Sequence, residues 1–290
     1  LPDPRDLSAI FGTPEYAAWN SLRNTEDSRY LGLAMPRFLG RMPYGAKTNP
    51  VDEFDFEEDT GGSDPARFCW LNAAYAMATN VTRAFALYGW CTRIRGVESG
   101  GAIEDLPIYT FPSDDGGVDL ACPTEIAISD RREAELAKNG FMPLVHRKNS
   151  DVAVFIGAQS VQRPIAYDDD AATANAELSA RLPYMFAVCR FAHYLKAMVR
   201  DKIGSSFNSA DELRLYLHNW IVGNYVHPFP KLASDEDKAR QPLAKAEVIV
   251  RERPDNPGYY DAEFLLKPHY QLEGLTISLR LVSKLKSEKK

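Results

Sequence analysis

The C-terminal part of the chain alternates apolar and polar residues with period two in two successive stretches. The first stretch places four apolar residues on one side of a strand: Tyr260, Ala262, Phe264 and Leu266. The second stretch does the same with Leu275, Ile277, Leu279 and Leu281. Period-two alternation is typical of half-buried β-strands, so it predicts strands over 259–267 and 275–282.

A hairpin of two strands constrains the rest of the fold, because alone it is marginally stable in water. Its two outer edges also carry unpaired backbone N–H and C=O groups, which other strands can cover. The covering strands come either from this chain or from another molecule. Open-edged strands at a terminus favour the addition of strands between chains.

The pattern of the whole chain predicts an α+β fold, in which a mixed α/β core precedes a helical pair and C-terminal antiparallel strands. Apolar spacing predicts a long amphipathic helix over 182–203, with a stripe of Met185, Val188, Ala192, Leu195 and Val199. Ser209 and Glu212 have capping-box spacing for the second helix of the pair. A strand over 244–252 follows. The change in pattern near residue 178 divides the chain into predicted domains 1–178 and 179–290.

The first domain is predicted to contain helices over 13–23 and 64–88, and a third that ends near residue 140. The helix over 64–88 carries two apolar stripes, so we expect it to be buried on most of its circumference. Asp130 and Glu133 have capping-box spacing for the third helix. Strands are predicted over 30–35, 106–111 and 125–128, and a strand, turn and second strand within 141–159.

Composition limits the classes of function. The 290 residues are 45% hydrophobic, which is enough for a core, and the net charge of −6 gives no global basic field for nucleic acid or anionic lipid. No apolar run approaches the roughly 18 residues of a membrane helix, and the first residues are not a signal peptide. The four cysteines lack CxxC spacing, which indicates reduced thiols of a cytosolic protein. The absence of an initial Met predicts a truncated or trimmed product.

The sequence contains no recognisable catalytic, phosphate-binding or metal-binding motif. His193, Lys196 and Arg200 form a basic helix face, which either meets acidic residues of another subunit or is simply solvated. Acidic residues at 168–170 bind a divalent ion or, more simply, begin a helix. The acidic loop 52–59 is either solvated or docks a basic partner. We therefore predict no catalytic residue, metal or cofactor, and favour a structural or interaction protein over an enzyme without a readable motif.

Four long segments resemble one known family. They span 31–45, 139–164, 180–205 and 256–285, and they begin LGLAMPRFLG, NGFMPLVHRK, ARLPYMFAVC and NPGYYDAEFL. These segments closely resemble the large subunit of the bacterial type VI secretion contractile sheath, the TssC family, also called VipB, ImpC or HsiC. The resemblance runs in colinear blocks over essentially the whole chain. A phage-like contractile tail sheath protein is the nearest alternative.

The resemblance implies a cytoplasmic structural protein with a contractile-tail-sheath-like fold. Its implied partners are the small sheath subunit (TssB or VipA) and other copies of itself, which together form a helical tube around an inner tube of Hcp. The tube is built on a baseplate and contracts, and a ClpV-type AAA+ ATPase dismantles it mainly through the small subunit.

The resemblance also implies that neighbouring subunits exchange β-strands. The terminal hairpin would receive such strands through the eight alternating apolar residues named above. Large subunits of this family are much longer than this chain, so we expect its N-terminal portion to be missing. That portion is expected to supply one donor strand and much of the contact with the small subunit.

Overall fold

The computed structural model describes residues 6–60, 65–112, 118–202, 209–255, 259–269 and 279–286. The helices are α1 (Leu7–Phe11), α2 (Ala17–Arg23), α3 (Ala73–Tyr88), α4 (Asp130–Lys138), α5 (Asp170–Ser179), α6 (Leu182–Lys202), α7 (Ala210–Tyr225) and α8 (Asp235–Arg240). The strands are β1 (Ala34–Met35), β2 (Phe38–Leu39), β3 (Trp70–Leu71), β4 (Ala102–Ile103), β5 (Thr110–Pro112), β6 (Val118–Leu120), β7 (Met142–His146), β8 (Ala153–Phe155), β9 (Leu243–Glu252), β10 (Tyr259–Pro268) and β11 (Leu279–Lys286).

The chain divides into two compact units. The first unit contains residues 1–84, 93–163 and 180–182, and the second contains residues 85–92, 164–179 and 183–290. The first unit is built around a sheet of order β1-β7-β8-β4, in which β1 and β7 are parallel and the other pairs antiparallel. Its core joins Leu144 and Phe155 of this sheet to Ala73, Ala76 and Met77 of α3.

The hairpin of β7 and β8 confirms the strand, turn and strand predicted within 141–159, with Val145 opposite Val154. Other strand predictions for this unit are wrong. Residues 27–30 form a 3₁₀ turn, so only Ala34–Met35 of the segment 30–35 is a strand. The segment 106–111 contains only the start of β5, and 125–128 contains no strand. The last two segments form backbone bonds, from Leu106 N to Asp151 O at 3.1 Å and from Glu125 N to Arg37 O at 2.8 Å.

The helix predicted over 64–88 begins only at Ala73. Residues 65–67 form a 3₁₀ turn, and β3 pairs with β2 before the helix starts. The side-chain oxygen of Asn72 accepts a hydrogen bond from the amide of Ala74 at 2.8 Å, which satisfies one of the unpaired donors at a helix start. The expectation of burial around most of α3 is also wrong, because Tyr75 is 66% and Phe85 51% exposed.

Two helix starts differ from the sequence-based expectation. Ser129, not Asp130, caps α4, since its hydroxyl oxygen accepts from the amide of Arg132 at 3.5 Å. The helix α8 lies in a polar segment for which no element was predicted. Its capping box is formed by Ser234 and Asp237, and Asp takes the place that Glu or Gln usually holds in this motif.

The second unit confirms the predicted helical pair and antiparallel finish. The helix α6 covers the predicted segment as far as Lys202, and Ser209 caps α7 by accepting from the amide of Glu212 at 3.2 Å. The three strands form an antiparallel sheet of order β11-β10-β9. The strand β11 continues beyond the predicted end at 282, while residues 275–278 lie outside the described residues.

Candidate assembly interface

The central strand of the C-terminal sheet buries one of its faces. Tyr260, Ala262, Phe264 and Leu266 of β10 are all buried, as the alternation predicts. They share a cluster with Ala246 and Val248 of β9, with Leu213, Leu217 and Ile221 of α7, and with Ala187, Phe191 and Leu195 of α6. Because every second residue of β10 is fixed in this core, a slip of one position would turn the apolar set outward. The register of the sheet is therefore strongly determined.

The backbone of β10 is paired on both sides within the chain. Phe264, for example, lies opposite Val248 of β9 and opposite Leu281 of β11. The open edges of the sheet are therefore those of β9 and β11. Within the described part of the chain, the only further pairing at these edges is a single parallel bridge from Val226 to Leu243, at the start of β9. A strand from another molecule could add to β9 or β11, but not to β10.

The eight residues predicted for strand pairing therefore have different positions. The four in β10 belong to the buried core, and their strand contributes no open edge. Leu279 and Leu281 lie in β11, opposite Leu266 and Phe264. Leu275 and Ile277 lie outside the described residues. Strand pairing between subunits stays a prediction, and the geometry assigns it to the outer edges of the sheet.

An ion pair links the residue after β9 to β10. The guanidinium of Arg253 donates to both carboxylate oxygens of Asp261, at 2.8 to 3.1 Å. This hydrogen bonding raises the pKa of Arg253. Two-point contacts of this kind have a defined orientation. The pair thus adds a side-chain contact to the backbone pairing of β9 and β10.

The basic face of α6 is only partly described. His193 and Lys196 are exposed, as expected, and the side chain of Arg200 lies outside the described residues. The most buried row of α6 is Ala187, Phe191 and Leu195, whereas Val188 and Ala192 of the predicted stripe are half-buried. The stripe prediction missed Phe191, which stacks on Trp90 at 4.8 Å between ring centroids.

A cation that the sequence did not single out contributes to the core of this unit. Arg190 lies 4.6 Å from the centroid of Trp90, and its guanidinium donates to the hydroxyl of Tyr194 at 2.6 and 2.9 Å. It also donates to the carbonyl oxygen of Gly89. No local pattern indicates this role, because Gly89 and Trp90 are distant in sequence.

The described residues contain neither a metal-binding cluster nor a membrane-spanning helix. Among them, no group of three or more His, Cys, Asp or Glu side chains could hold a metal ion. Every helix in the described ranges is too short or too polar to cross a membrane. The feature that distinguishes the second unit is thus its well-anchored sheet with open edges.

Comparison with family models identifies both parts of the chain. Residues 1–162 match VipB, described as EvpB/VC_A0108, tail sheath N-terminal domain. Residues 171–285 match VipB_2, the EvpB/VC_A0108 tail sheath gpW/gp25-like domain, which includes the C-terminal sheet. The chain belongs to the VipB tail sheath family. This confirms the resemblance of the four sequence segments.

Two known proteins resemble the chain to different degrees. The type VI secretion system sheath protein TssC1 of Pseudomonas aeruginosa is 67% identical over 289 residues. The alignment covers 100% of this chain but 58% of TssC1, so the chain spans little more than half of that relative. A crystal structure of a sheath tail protein from Desulfitobacterium hafniense is 13% identical, with a TM-score of 0.44, over 98% of this chain and 55% of that one.

Proposed function

We propose that this VipB-family chain is a structural subunit of the type VI secretion contractile sheath. In this proposal it assembles with the small sheath subunit, and with other copies of itself, into a helical tube. The observation that carries the proposal is the C-terminal sheet, whose central strand β10 is buried on one face and whose β9 and β11 edges are open in the described chain. The 67% identity to a type VI sheath protein supports it.

The open edges provide a physical means of assembly. An exposed strand edge presents a row of N–H and C=O groups that an incoming strand can pair. Main-chain bonds supply affinity in such strand addition, and the alternate side chains supply specificity. The receiving sheet is anchored on α6 and α7 through the buried face of β9 and β10. A strand can therefore add to an edge of the sheet without rearranging this core. Subunits joined in this way could rotate relative to one another while staying connected.

The remaining partners follow from the proposed function. The tube would surround Hcp, assemble on a baseplate in the cytoplasm, and be dismantled by a ClpV-type AAA+ ATPase through the small subunit. The chain itself would have no catalytic activity, so purified sheath without the ATPase should not hydrolyse nucleotide. In this proposal residues 1–178 form the remainder of the core domain, and 179–290 form the assembly domain.

The basic face of α6 is proposed as an electrostatic contact between subunits. Lys196 is exposed, so in this proposal it meets a carboxylate of a neighbouring subunit. A single exposed ion pair is worth only about 0–1 kcal/mol, but a tube repeats each contact many times. The double variant Lys196→Glu/Arg200→Glu should retain its circular dichroism spectrum and form fewer tubes. Wild-type tube numbers would show that this face is merely solvated.

Two adjacent proline substitutions test the open edge of β9. Arg251 and Glu252 are exposed neighbours, opposite Asp261 and Tyr260 of β10. Successive N–H groups of a strand point to opposite edges, so one of the two donates toward β10 and the other toward the open edge. Proline removes that donor. We therefore expect different results from Arg251→Pro and Glu252→Pro.

Electron microscopy of each variant co-expressed with the small subunit gives the readout. The variant that loses the outward donor should keep its helical signal and its small subunit, yet form no striated tubes. The variant that loses the inward donor should be destabilised. Arg251→Ala and Glu252→Ala are the matched controls and should form tubes. Normal tubes from both proline variants, or unfolding of both, would contradict the proposal.

A further inference from the structure

The second unit contains a basic and apolar groove beside the start of β9. Its volume is about 820 Å³. It is lined by the segment 228–232, which follows α7, and by residues of α8, β9 and the end of β10. Four lysines line it: Lys231, Lys238, Lys245 and Lys267. No carboxylate is among its lining residues.

The lysines of this basic groove are incompletely neutralised. Lys238 pairs with Asp235 at 3.3 Å, and Lys245 lies 3.9 Å from Glu247. Among the described residues, Lys231 and Lys267 form no ion pair. Lys267 also lies directly opposite Lys245 in the register of β9 and β10. Like charges at directly opposed positions destabilise a sheet, so an anionic ligand here would remove a repulsion as well as add an attraction.

The apolar part of the basic groove is unusually exposed. Phe229 is 65% and Leu232 84% exposed, and both line it together with Pro228 and Pro230. His269 also lines it, and its buried Nε2 has no hydrogen-bond partner among the described residues. Burial and the nearby Lys238 and His227 lower the pKa of His269. The groove thus combines cations with uncovered aromatic and aliphatic surface, which suits a peptide that carries both carboxylates and aromatic rings.

The chain itself contains such a segment. The acidic loop 52–59 has the sequence DEFDFEED, and its Phe54 and Phe56 are 51% and 50% exposed. In the described chain, Asp52, Glu53 and Asp55 form no ion pair, so their charges are available.

One end of the acidic loop is held in place. Arg41 forms two hydrogen bonds with the carboxylate of Glu58, at 2.7 and 3.2 Å, and that carboxylate also accepts from the amide of Tyr44. The ring of Tyr44 lies edge-on to Phe54, at 5.5 Å between centroids. An anchored loop loses less conformational entropy when it docks than a free tail would. Its carboxylates and its two aromatic rings are therefore presented from a fixed base.

We propose that the basic groove of one copy docks the acidic loop of another copy. This inference rests on the proposed function, because it requires several copies to come together. Phe54 and Phe56 contact Phe229 and Leu232, while the carboxylates of the loop pair with Lys231 and Lys267. Such a contact covers apolar surface on both copies and neutralises the opposed lysines.

Peptide binding tests the contact without requiring tubes. A fluorescein-labelled peptide of residues 50–60 is titrated against the full chain in complex with the small subunit. The receptor carries Asp52→Asn/Glu53→Gln/Asp55→Asn, so that its own loops do not compete. We expect binding that weakens as salt rises, and at least tenfold weaker binding to Lys231→Glu/Lys267→Glu. The matched control Lys148→Glu changes an exposed lysine of the first unit and should bind normally. Absence of binding, or equal binding to all three receptors, would overturn the proposal.

Exchange of the charges then tests the contact in the assembly. Asp52→Lys/Glu53→Lys/Asp55→Lys and Lys231→Glu/Lys267→Glu should each reduce tube numbers in electron microscopy, and their combination should restore them. If only the groove variant fails and the combination does not rescue it, the groove binds another acidic partner and the loop proposal is wrong. If wild-type chains form no tubes but the peptide still binds as expected, the sheath function fails while the docking contact stands.

Discussion

The larger sheets of the two units are stabilised in different ways. In the second unit, β9 and β10 each have ten residues, and a long ladder of paired positions joins them, with one register shift between Lys267 and Pro268. In the first unit, β1 has two residues and β8 three. Strands this short contribute few ladder bonds, so other contacts must set their positions. The comparison shows that regular pairing and long-range side-chain bonds are alternative ways to fix a strand.

Arg23 illustrates the second way. It is buried, and its guanidinium donates to the carbonyl oxygens of Val161 at 3.0 Å and Lys138 at 2.8 Å. Its own carbonyl oxygen accepts from the amide of Arg163 at 2.8 Å. Burial and the nearby Arg163 lower the pKa of Arg23 to about 10. One side chain thus ties α2 to the end of α4 and to the segment after β8.

The largest effect is expected from the core under the long sheet. Leu217 of α7 is fully buried against β9 and β10, so Leu217→Ala should leave a cavity and lower the free energy of unfolding by about 2–5 kcal/mol. Leu215 of the same helix is exposed, and Leu215→Ala should change it by about 0.5 kcal/mol or less. Urea denaturation measures both. Hydrogen exchange should accelerate in 243–268 only for Leu217→Ala. Equal effects of the two substitutions would show that the sheet does not depend on this packing.

A smaller effect is expected when the long-range bonds of the first unit are removed. Arg23→Met keeps an apolar side chain but leaves buried carbonyl oxygens without a donor, at a cost of about 1–3 kcal/mol. Hydrogen exchange should accelerate around 138–163 and stay unchanged in 243–268. Arg131→Met, at a largely exposed position, is the control and should cost about 0–1 kcal/mol. Unchanged hydrogen exchange around 138–163 in Arg23→Met would mean that the short strands keep their positions without the hydrogen bonds of Arg23.

The smallest effect concerns pH. Burial raises the pKa of Glu133 in α4 above its ordinary 4.5, against the attraction of Arg181. The folded state therefore binds more protons than the unfolded state above pH 4.5, and the stability contributed by this group falls as pH rises through the raised pKa. Between pH 4.5 and neutrality, the free energy of unfolding of Glu133→Gln should therefore rise relative to that of the parent chain.

The neighbouring Glu135 provides the opposite control. Hydrogen bonds from Arg131 and Arg132 lower its pKa, so its stabilisation is present above its unfolded pKa and is lost as pH falls. Glu135→Gln should therefore lose stability relative to the parent at neutral pH and approach it in acid. Urea denaturation at several pH values measures both differences. Parallel pH profiles for the two variants would contradict these directions.

The same comparison explains what could be predicted from the sequence. Period-two alternation and the Ser209 cap are local signals, and they predicted the β9–β11 sheet and α7. The order of strands in a sheet depends on contacts between distant residues. Local patterns therefore do not predict that β10 lies between β9 and β11. In the first unit, the contacts of Arg23 join residues more than a hundred positions apart. No window of sequence contains both partners, so local patterns predict the β7–β8 hairpin of this unit but misplace its other strands.

The acidic loop can be recognised in the sequence, but the basic groove cannot. The loop is contiguous, so its charges and its two phenylalanines were visible and a docking role could be considered. The groove draws Lys231, Lys238, Lys245 and Lys267 from four separate segments. Only the fold brings these lysines together. The sequence suggests that the loop docks a basic partner, but it does not show where that partner lies.

The central position of β10 has a consequence for how such a chain would polymerise. A sheet with its middle strand saturated and two open sides behaves as a monomer of valence two, the smallest valence that allows unlimited growth. A copy with one side blocked has valence one and would act as a chain terminator. Tube length would then depend on the ratio of intact to blocked copies, so traces of a one-sided variant would shorten tubes far more than their abundance suggests.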